Sequence, residues 1–271
     1  MFYFSLWTKN TNSFRNLLNT SKGRDKFCQL LQYSANFYIT CMRESAEYGN
    51  FVKEKKVSSV NKAKKLESSI SNGRKIFRLF LFLNESAELY ELIKNSKFPL
   101  PLRILKIVST CCSFIYYFTD NIVYLSNMGF VNAFVPQTKM KWKQIKNIFS
   151  FTKTILEIII AIYTIYEKKK EELQITEKLR KFTEETLRWD SEANVLVRNL
   201  IILRREAIFN RVEALIYIMR MFMLVASLKL VGHSILNPIF VSGCGIVQAF
   251  ANVFKSMKGK KNFYKLTIED I

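Results

Sequence analysis

Residues 230–254 run for 25 positions without a formal charge, bracketed by Lys229 and Lys255. A second stretch, 107–138, carries one charge, Asp120, in 32 residues between Lys106 and Lys139. At a rise of about 1.5 Å per residue, either is long enough as a helix to cross a hydrocarbon layer of about 30 Å. Hydrophobic residues make up 49% of the chain, while Gly and Pro number only 8 and 4. That balance favours helices and argues against a β fold built on frequent tight turns. The sequence therefore predicts an all-α, membrane-associated helical bundle with long helices, an interfacial amphipathic helix and about two hydrophobic segments able to span.

The formal charge of +20 calls for an anionic partner. Nucleic acid and an anionic membrane surface both fit the charge. The apolar stretches, and a 14% share of aromatic residues of the kind that anchor at interfaces, favour anionic phospholipid and exclude a soluble nucleic-acid-binding protein. The cysteines (Cys28, Cys41, Cys111, Cys112, Cys244) have no C-x-x-C spacing, and the opening MFYFSLWTKN is not a signal peptide. They read as buried, reduced thiols in a protein facing the cytosol. The single histidine, His233, removes Cys–His and Ser–His nucleophile pairs and any His-rich metal site. No phosphate-cradling Gly-rich loop or metal cluster is found, so neither an enzyme, a cofactor nor a metal is expected.

The chain reads as a single unit over 1–271, divided by its alternation of basic and apolar stretches. An N-terminal helical region covers 1–60, with Phe27, Leu30, Leu31, Phe37, Tyr38 and Cys41 at helical steps. An amphipathic membrane-binding helix follows over 61–95, then a first hydrophobic segment over 103–138. The segment over 103–138 is readable as a span, a re-entrant hairpin or a buried helix, because Asp120 near its middle is costly in lipid. A long charged helical region, 140–213, contains the apolar run TILEIIIAIYTIY and then densely mixed charges of a solvated helical face. The C-terminal hydrophobic segment, 214–255, offers a Gly245/Ala249 small-xxx-small spacing and a bend at Pro238. A basic tail, 256–271, ends the chain. Residues 9–26 hold five basic groups and one acid, and residues 255–271 five and two. Both ends are therefore expected on the cytosolic side, with an even number of spans.

The second helix, KAKKLESSISNGRKIFRLFLFLNE, is the most informative segment. At 100° per residue, Leu66, Ile70, Phe77, Phe80 and Leu81 gather on one face, with Lys64, Arg74, Lys75 and Arg78 on the flank and opposite side. Moderate hydrophobicity with a basic face suits a helix lying in a lipid interface, the apolar side chains inserting and the cations holding headgroups. The same face would also serve to pack a helical bundle.

Three stretches together resemble the peroxin-11 family. In GRDKFCQLLQY, Gly23, Arg24, Asp25, Lys26, Gln32 and Tyr33 are similar to that family's opening signature. In KLESSISNGRKIFRLFLFLNE, Leu66 to Ser69, Arg74, Lys75, Phe77 and Arg78 match in order. In YYFTDNIVYLSNMGFV, Tyr117, Asp120, Asn121 and Gly129 match, while Tyr124 stands where tryptophan is common. The Gly-rich GHSILNPIFVSGCGIVQAF is similar but less specific, and the charged stretch from about 167 to 206 carries no family motif. The resemblance implies a protein of the peroxisomal membrane, or of a related organelle such as the glycosome. It implies elongation, proliferation and fission of that organelle, through amphipathic-helix insertion and homo-oligomer formation, with a dynamin-like GTPase and fission adaptors as partners. The GRDK residues, with Asp120 and Asn121, are expected to be structural. A pore for small metabolites, lined by Asp120, Glu157 and Arg220, is the alternative.

Overall fold

A computed structural model of the chain describes residues 14–47, 53–94, 98–129, 136–182, 191–228 and 236–258. His233 and both ends of the chain, on which the topology expectation rests, lie outside the described residues. All regular structure among the described residues is helical: a short turn of helix over 14–18, then α1 Ser21–Glu47, α2 Lys53–Phe77, α3 Leu81–Lys94, α4 Leu100–Asn127, α5 Pro136–Leu179, α6 Ser191–Ser227 and α7 Pro238–Lys258.

Local chemistry sets the helix ends. The Thr20 hydroxyl accepts from the Gly23 backbone N–H at 3.0 Å, capping α1. At this cap the chain folds back so tightly that a Cβ on Gly23 would sit 1.9 Å from the Leu17 carbonyl oxygen. The glycine of the GRDK motif is thus a packing requirement. Pro99 and Pro101 open α4, and Gly129, at φ 81°, closes it as the left-handed residue after the C-cap. Asn237 accepts from the Ile239 N–H at 2.8 Å, with Pro238 in the first helical position. Pro238 therefore starts a helix and does not bend one.

Two boundaries differ from the sequence expectation. The helix expected over 61–95 is two helices, because Phe80 adopts φ 60° and residues 78–80 form a turn between α2 and α3. The charged region 140–213 is an antiparallel pair, α5 and α6, stitched by Lys168–Glu206 at 2.9 Å and Arg204–Glu172 at 2.9 Å. Its mixed charges are cross-helix ion pairs.

Consecutive packing contacts run from α2 to α1, α1 to α7, α7 to α6, α6 to α5, α5 to α4 and α4 to α3. The turn between α2 and α3 closes this order into a ring. On α4, α5 and α7 polar side chains are buried and apolar ones exposed, within an interior that also holds Val123, Leu203, Phe209 and Ile216. On α4, Ser109, Thr110, Ser113, Thr119, Asp120 and Asn121 are buried, while Ile104, Val108, Phe118 and Leu125 are exposed. On α5, Ser150 and Thr154 are buried and Ile148, Ile159 and Ile162 exposed. On α7, Ser242 and Gln248 are buried and Val247, Phe250 and Phe254 exposed. Buried hydroxyls satisfy themselves on their own helices, Ser113 donating to the Ser109 carbonyl at 3.1 Å and Thr154 to that of Ser150 at 2.8 Å. Such an inverted distribution suits a surface solvated by lipid tails. Among the described residues, three helices are long and apolar enough to cross a membrane, Leu100–Ser126, Trp142–Leu179 and Pro238–Met257. About two were expected; the addition is the apolar run of α5, whose charged continuation had grouped it with a solvated helix.

Candidate functional site

The sequence motifs meet at the centre of the ring. Asp25 and Gln32 lie seven residues apart on α1, on one helix face, while Arg74 sits in the last turn of α2 and Arg78 opens the turn that follows it. Arg74 Nε donates to Asp25 Oδ1 at 3.0 Å and Arg74 Nη1 to Gln32 Oε1 at 2.6 Å. Gln32 in turn donates to Glu67 Oε1 at 2.7 Å. Arg78 reaches Asp25 at 3.8 Å and Asp120 Oδ2, on α4, at 3.2 Å. Lys146 on α5 completes the chain at 3.0 Å from Asp120 Oδ1. One residue or two from each motif, Asp25 of GRDK, Arg74 and Arg78 of the RK–FR segment and Asp120 of the DN pair, thus form one network. Charges so placed are stable only because each carboxylate meets cations at short range.

Two cavities adjoin this network. One, of about 270 Å³, is lined by Lys26, Arg74, Arg78, Lys146 and Arg220, with Gln29 and Gln248. The other, of about 640 Å³, shares Asp25, Lys26, Tyr117, Arg220 and Gln248 and extends past Lys153, Glu157 and Glu213. Arg220 donates to the Ser150 hydroxyl at 3.0 Å. Burial, the largest cause, pulls the Lys26 ammonium down to about 8; Asp25 opposes this, and Arg220, Arg74 and Lys153 reinforce it.

Several expectations for site residues change. Arg74 and Arg78, read from sequence as headgroup ligands, are held inside by carboxylates, with side chains 11% and 16% exposed. Lys75 is half-buried and donates to Asn72 at 3.1 Å, whereas Lys64 is exposed. Of the five residues assigned to insertion, Leu66 and Phe80 are exposed and Ile70 is intermediate. Phe77 and Leu81 point inward and line the larger cavity. The Arg24 guanidinium lies 5.6 Å from the Phe77 ring centroid. For Leu81 the break at Phe80 causes the difference, since one wheel cannot describe both sides of a left-handed residue; Phe77, within α2, is turned inward by packing beneath Arg24. Ile76 and Leu83 are exposed in their place.

Tyr33 packs flat against Gly245 of α7, where a Cβ would lie 3.2 Å from the ring. Asn121 is buried beside Asp120, and its Nδ2 makes no hydrogen bond. The sequence reading passed over Gln29 and Lys146. Gln29 follows Asp25 by four residues and so shares its face, a signal that was available; Lys146 is one lysine among many, and only the fold selects it.

A family description, Peroxisomal biogenesis factor 11, matches residues 11–256. Peroxisomal membrane protein 11A of Bos taurus is 24% identical over 160 residues, 59% of this chain and 60% of that protein. Peroxisomal membrane protein 11D of Arabidopsis thaliana is 30% identical over 112 residues, 41% of this chain and 40% of that protein. The chain thus matches less than two thirds of the length of either relative. No solved structure matches significantly. With a family match that runs from before α1 almost to the end of α7, this chain belongs to the peroxisomal biogenesis factor 11 family.

Proposed function

We propose that this chain is a peroxisomal membrane protein that remodels the membrane, elongating it ahead of fission, and that it acts without a catalytic step. The observation that carries the reading is the apolar edge formed by α2, the 78–80 turn and α3. There Leu66, Ile76, Phe80 and Leu83 are 55%, 56%, 63% and 55% exposed, with Lys62, Lys64 and Lys65 exposed on the same helix pair. Burying a Leu, Ile or Phe side chain fully is worth roughly 1.5–3 kcal/mol, and each cation near an anionic surface about 1 kcal/mol. Partial burial of four such side chains therefore supports reversible insertion into one leaflet. The inserted edge expands that leaflet against the other, and the sheet curves. Homo-oligomers would concentrate these wedges, and a dynamin-like GTPase with fission adaptors would complete division.

Full-length protein added to anionic liposomes tests the proposal by electron microscopy. Tubules are expected, and Ile76→Asp with Phe80→Asp should abolish them while helicity and thermal stability persist. Undiminished tubulation by that variant would overturn the wedge. The charge of the chain's flanks supports a topology with both chain ends on the cytosolic side; that topology demands an even number of crossings, so that α6 crosses with the three candidate spans or one of those three stays interfacial. Protease accessibility of tags at either end decides this.

A second reading, a pore for small metabolites, is favoured by the two adjoining polar cavities inside the ring. It predicts conductance in planar bilayers that Asp120→Ala alters. A silent bilayer with correctly folded protein removes it.

A further inference from the structure

Five cations, Lys26, Arg74, Arg78, Lys146 and Arg220, face the 270 Å³ cavity. Only two carboxylates answer them at ion-pair distance, Asp25 and Asp120, and these are taken by Arg74, Arg78 and Lys146. The further acids, Glu85, Glu88, Glu157 and Glu213, line the adjoining cavity and not this one; there Glu157 pairs with Lys153 at 3.5 Å and Glu213 with Lys255. Arg220 has only a hydroxyl, that of Ser150, at hydrogen-bond distance, and Lys26 makes no hydrogen bond or salt bridge with the described residues. Positive charge is therefore in excess in a partly desolvated space, which is unfavourable unless an anion offsets it.

Two neutral side chains give the second indication. Gln29 and Gln248, each 5% exposed, line the same cavity, and the Oε1 atom of each lacks a hydrogen-bond partner. A buried amide left unmatched is unfavourable, and such groups are characteristically completed by a ligand or water. An amide can present oxygen or nitrogen, so this pair can accept from a hydroxyl or donate to an anionic oxygen. The volume is several times the ~30 Å³ share of a water molecule, enough for a small ester.

The geometry points to a phosphate monoester as the occupant of this cavity, its oxygens held by Lys26 and Arg220 and its remaining polar atoms by Gln29 and Gln248. Guanidinium and ammonium groups converging from α1, α2, α5 and α6 suit a multivalent, tetrahedral oxyanion better than a single carboxylate. The phosphate comes either from a free ester or from a lipid headgroup drawn in between helices. This goes beyond the wedge, because the cations concerned lie inside the ring and not on its lipid-facing edge.

The test uses the full chain in nanodiscs of neutral phosphatidylcholine, titrated calorimetrically with glycerol 3-phosphate and with inorganic phosphate. A second set of nanodiscs contains phosphatidic acid, and thermal unfolding is followed in both. Saturable binding of glycerol 3-phosphate identifies the free ester; stabilisation in phosphatidic acid discs alone identifies the headgroup. In either case Lys26→Met and Gln248→Leu should each weaken the effect tenfold or more, while Lys170→Ala with Lys178→Ala, exposed on α5 and away from the cavity, should leave it within twofold. Gln29→Leu, which changes no charge, gives the same reading if Lys26→Met does not fold. The inference is overturned if none of the probes binds saturably. It is equally overturned if binding survives the cavity variants and is lost with the surface lysines. The tubulation assay above reads the wedge separately, so failure of one is distinguishable from failure of the other.

Discussion

Arg74 Nε and Asp25 Oδ1 stand 3.0 Å apart across 49 residues of sequence, each side chain 11% exposed. The pair fastens α2 to α1 near the point where the chain turns toward α3 and α4. A charge on the lipid-facing side would be free to meet headgroups, whereas this one is committed to the fold.

Arg74→Met should therefore lower stability by roughly 3 kcal/mol, since breaking the buried pair leaves Asp25 with only the longer, 3.8 Å contact to Arg78. Asp25→Asn combined with Arg74→Met should recover part of that loss, a coupling above about 1 kcal/mol in a double-mutant cycle. Thermal unfolding in detergent provides the measurement. A headgroup role would instead give lost liposome binding at unchanged stability.

Phe80 carries an apolar ring on a left-handed backbone, a conformation that costs an ordinary residue roughly 1–2 kcal/mol. Phe80→Gly should remove that strain and raise thermal stability slightly while weakening insertion into anionic liposomes. The two readouts move in opposite directions. Parallel movement would mean that the ring packs the fold.

Gly245 and Tyr33 set the distance between α7 and α1. A Cβ at 3.2 Å from the ring is tighter than ordinary contact, so Gly245→Val should destabilise by about 1–3 kcal/mol. Tyr33→Leu, by removing the ring, should relieve part of the penalty in the double variant. Chemical denaturation of the four proteins checks it.

Lys26 has an ionisation lowered in the folded protein from 10.5 to about 8. Between those values the unfolded chain holds the proton that the folded chain has released, so stability rises with pH across that window. The gain is on the order of 3 kcal/mol if Lys26 alone is considered. Midpoints of unfolding at pH 7.5 and pH 10 should separate in the parent protein. The separation should shrink in Lys26→Met, with Asp25, Arg74, Lys153 and Arg220 unchanged around it.

Helix content, the apolar segments and the motif residues could be read in the chain because they are local. Periodicity, the absence of charge and capping chemistry act over a few residues. Thr20 with Gly23 and Pro99 with Gly129 are local signals of this kind; Pro238 is local too, but it was expected to bend a helix that it starts. The GRDK and DN residues were expected to be structural; of them, Asp25 and Asp120 enter the ion-pair network, while Gly23 packs at the α1 cap and Arg24 lies over Phe77. Arg74 and Arg78 misled the wheel analysis because a cation beside an apolar face has the same periodicity whether it meets a phosphate or a distant carboxylate. A left-handed Phe80 has no local signature, since that conformation is rare for a bulky residue.

The sequence by itself determined that the chain is helical, which stretches are apolar enough for lipid, where several helices begin and end, and which residues mark the family. Only the tertiary structure decided which charges pair across the ring, that the hydroxyls of α4 and α5 turn inward while their Ile and Phe side chains turn out, and that a cationic cavity lies between six helices. The physical reason is range. Helix propensity and caps are set by neighbours within about four residues, whereas the partners of Asp25, Asp120 and Arg220 are brought within 4 Å by helices far apart along the chain.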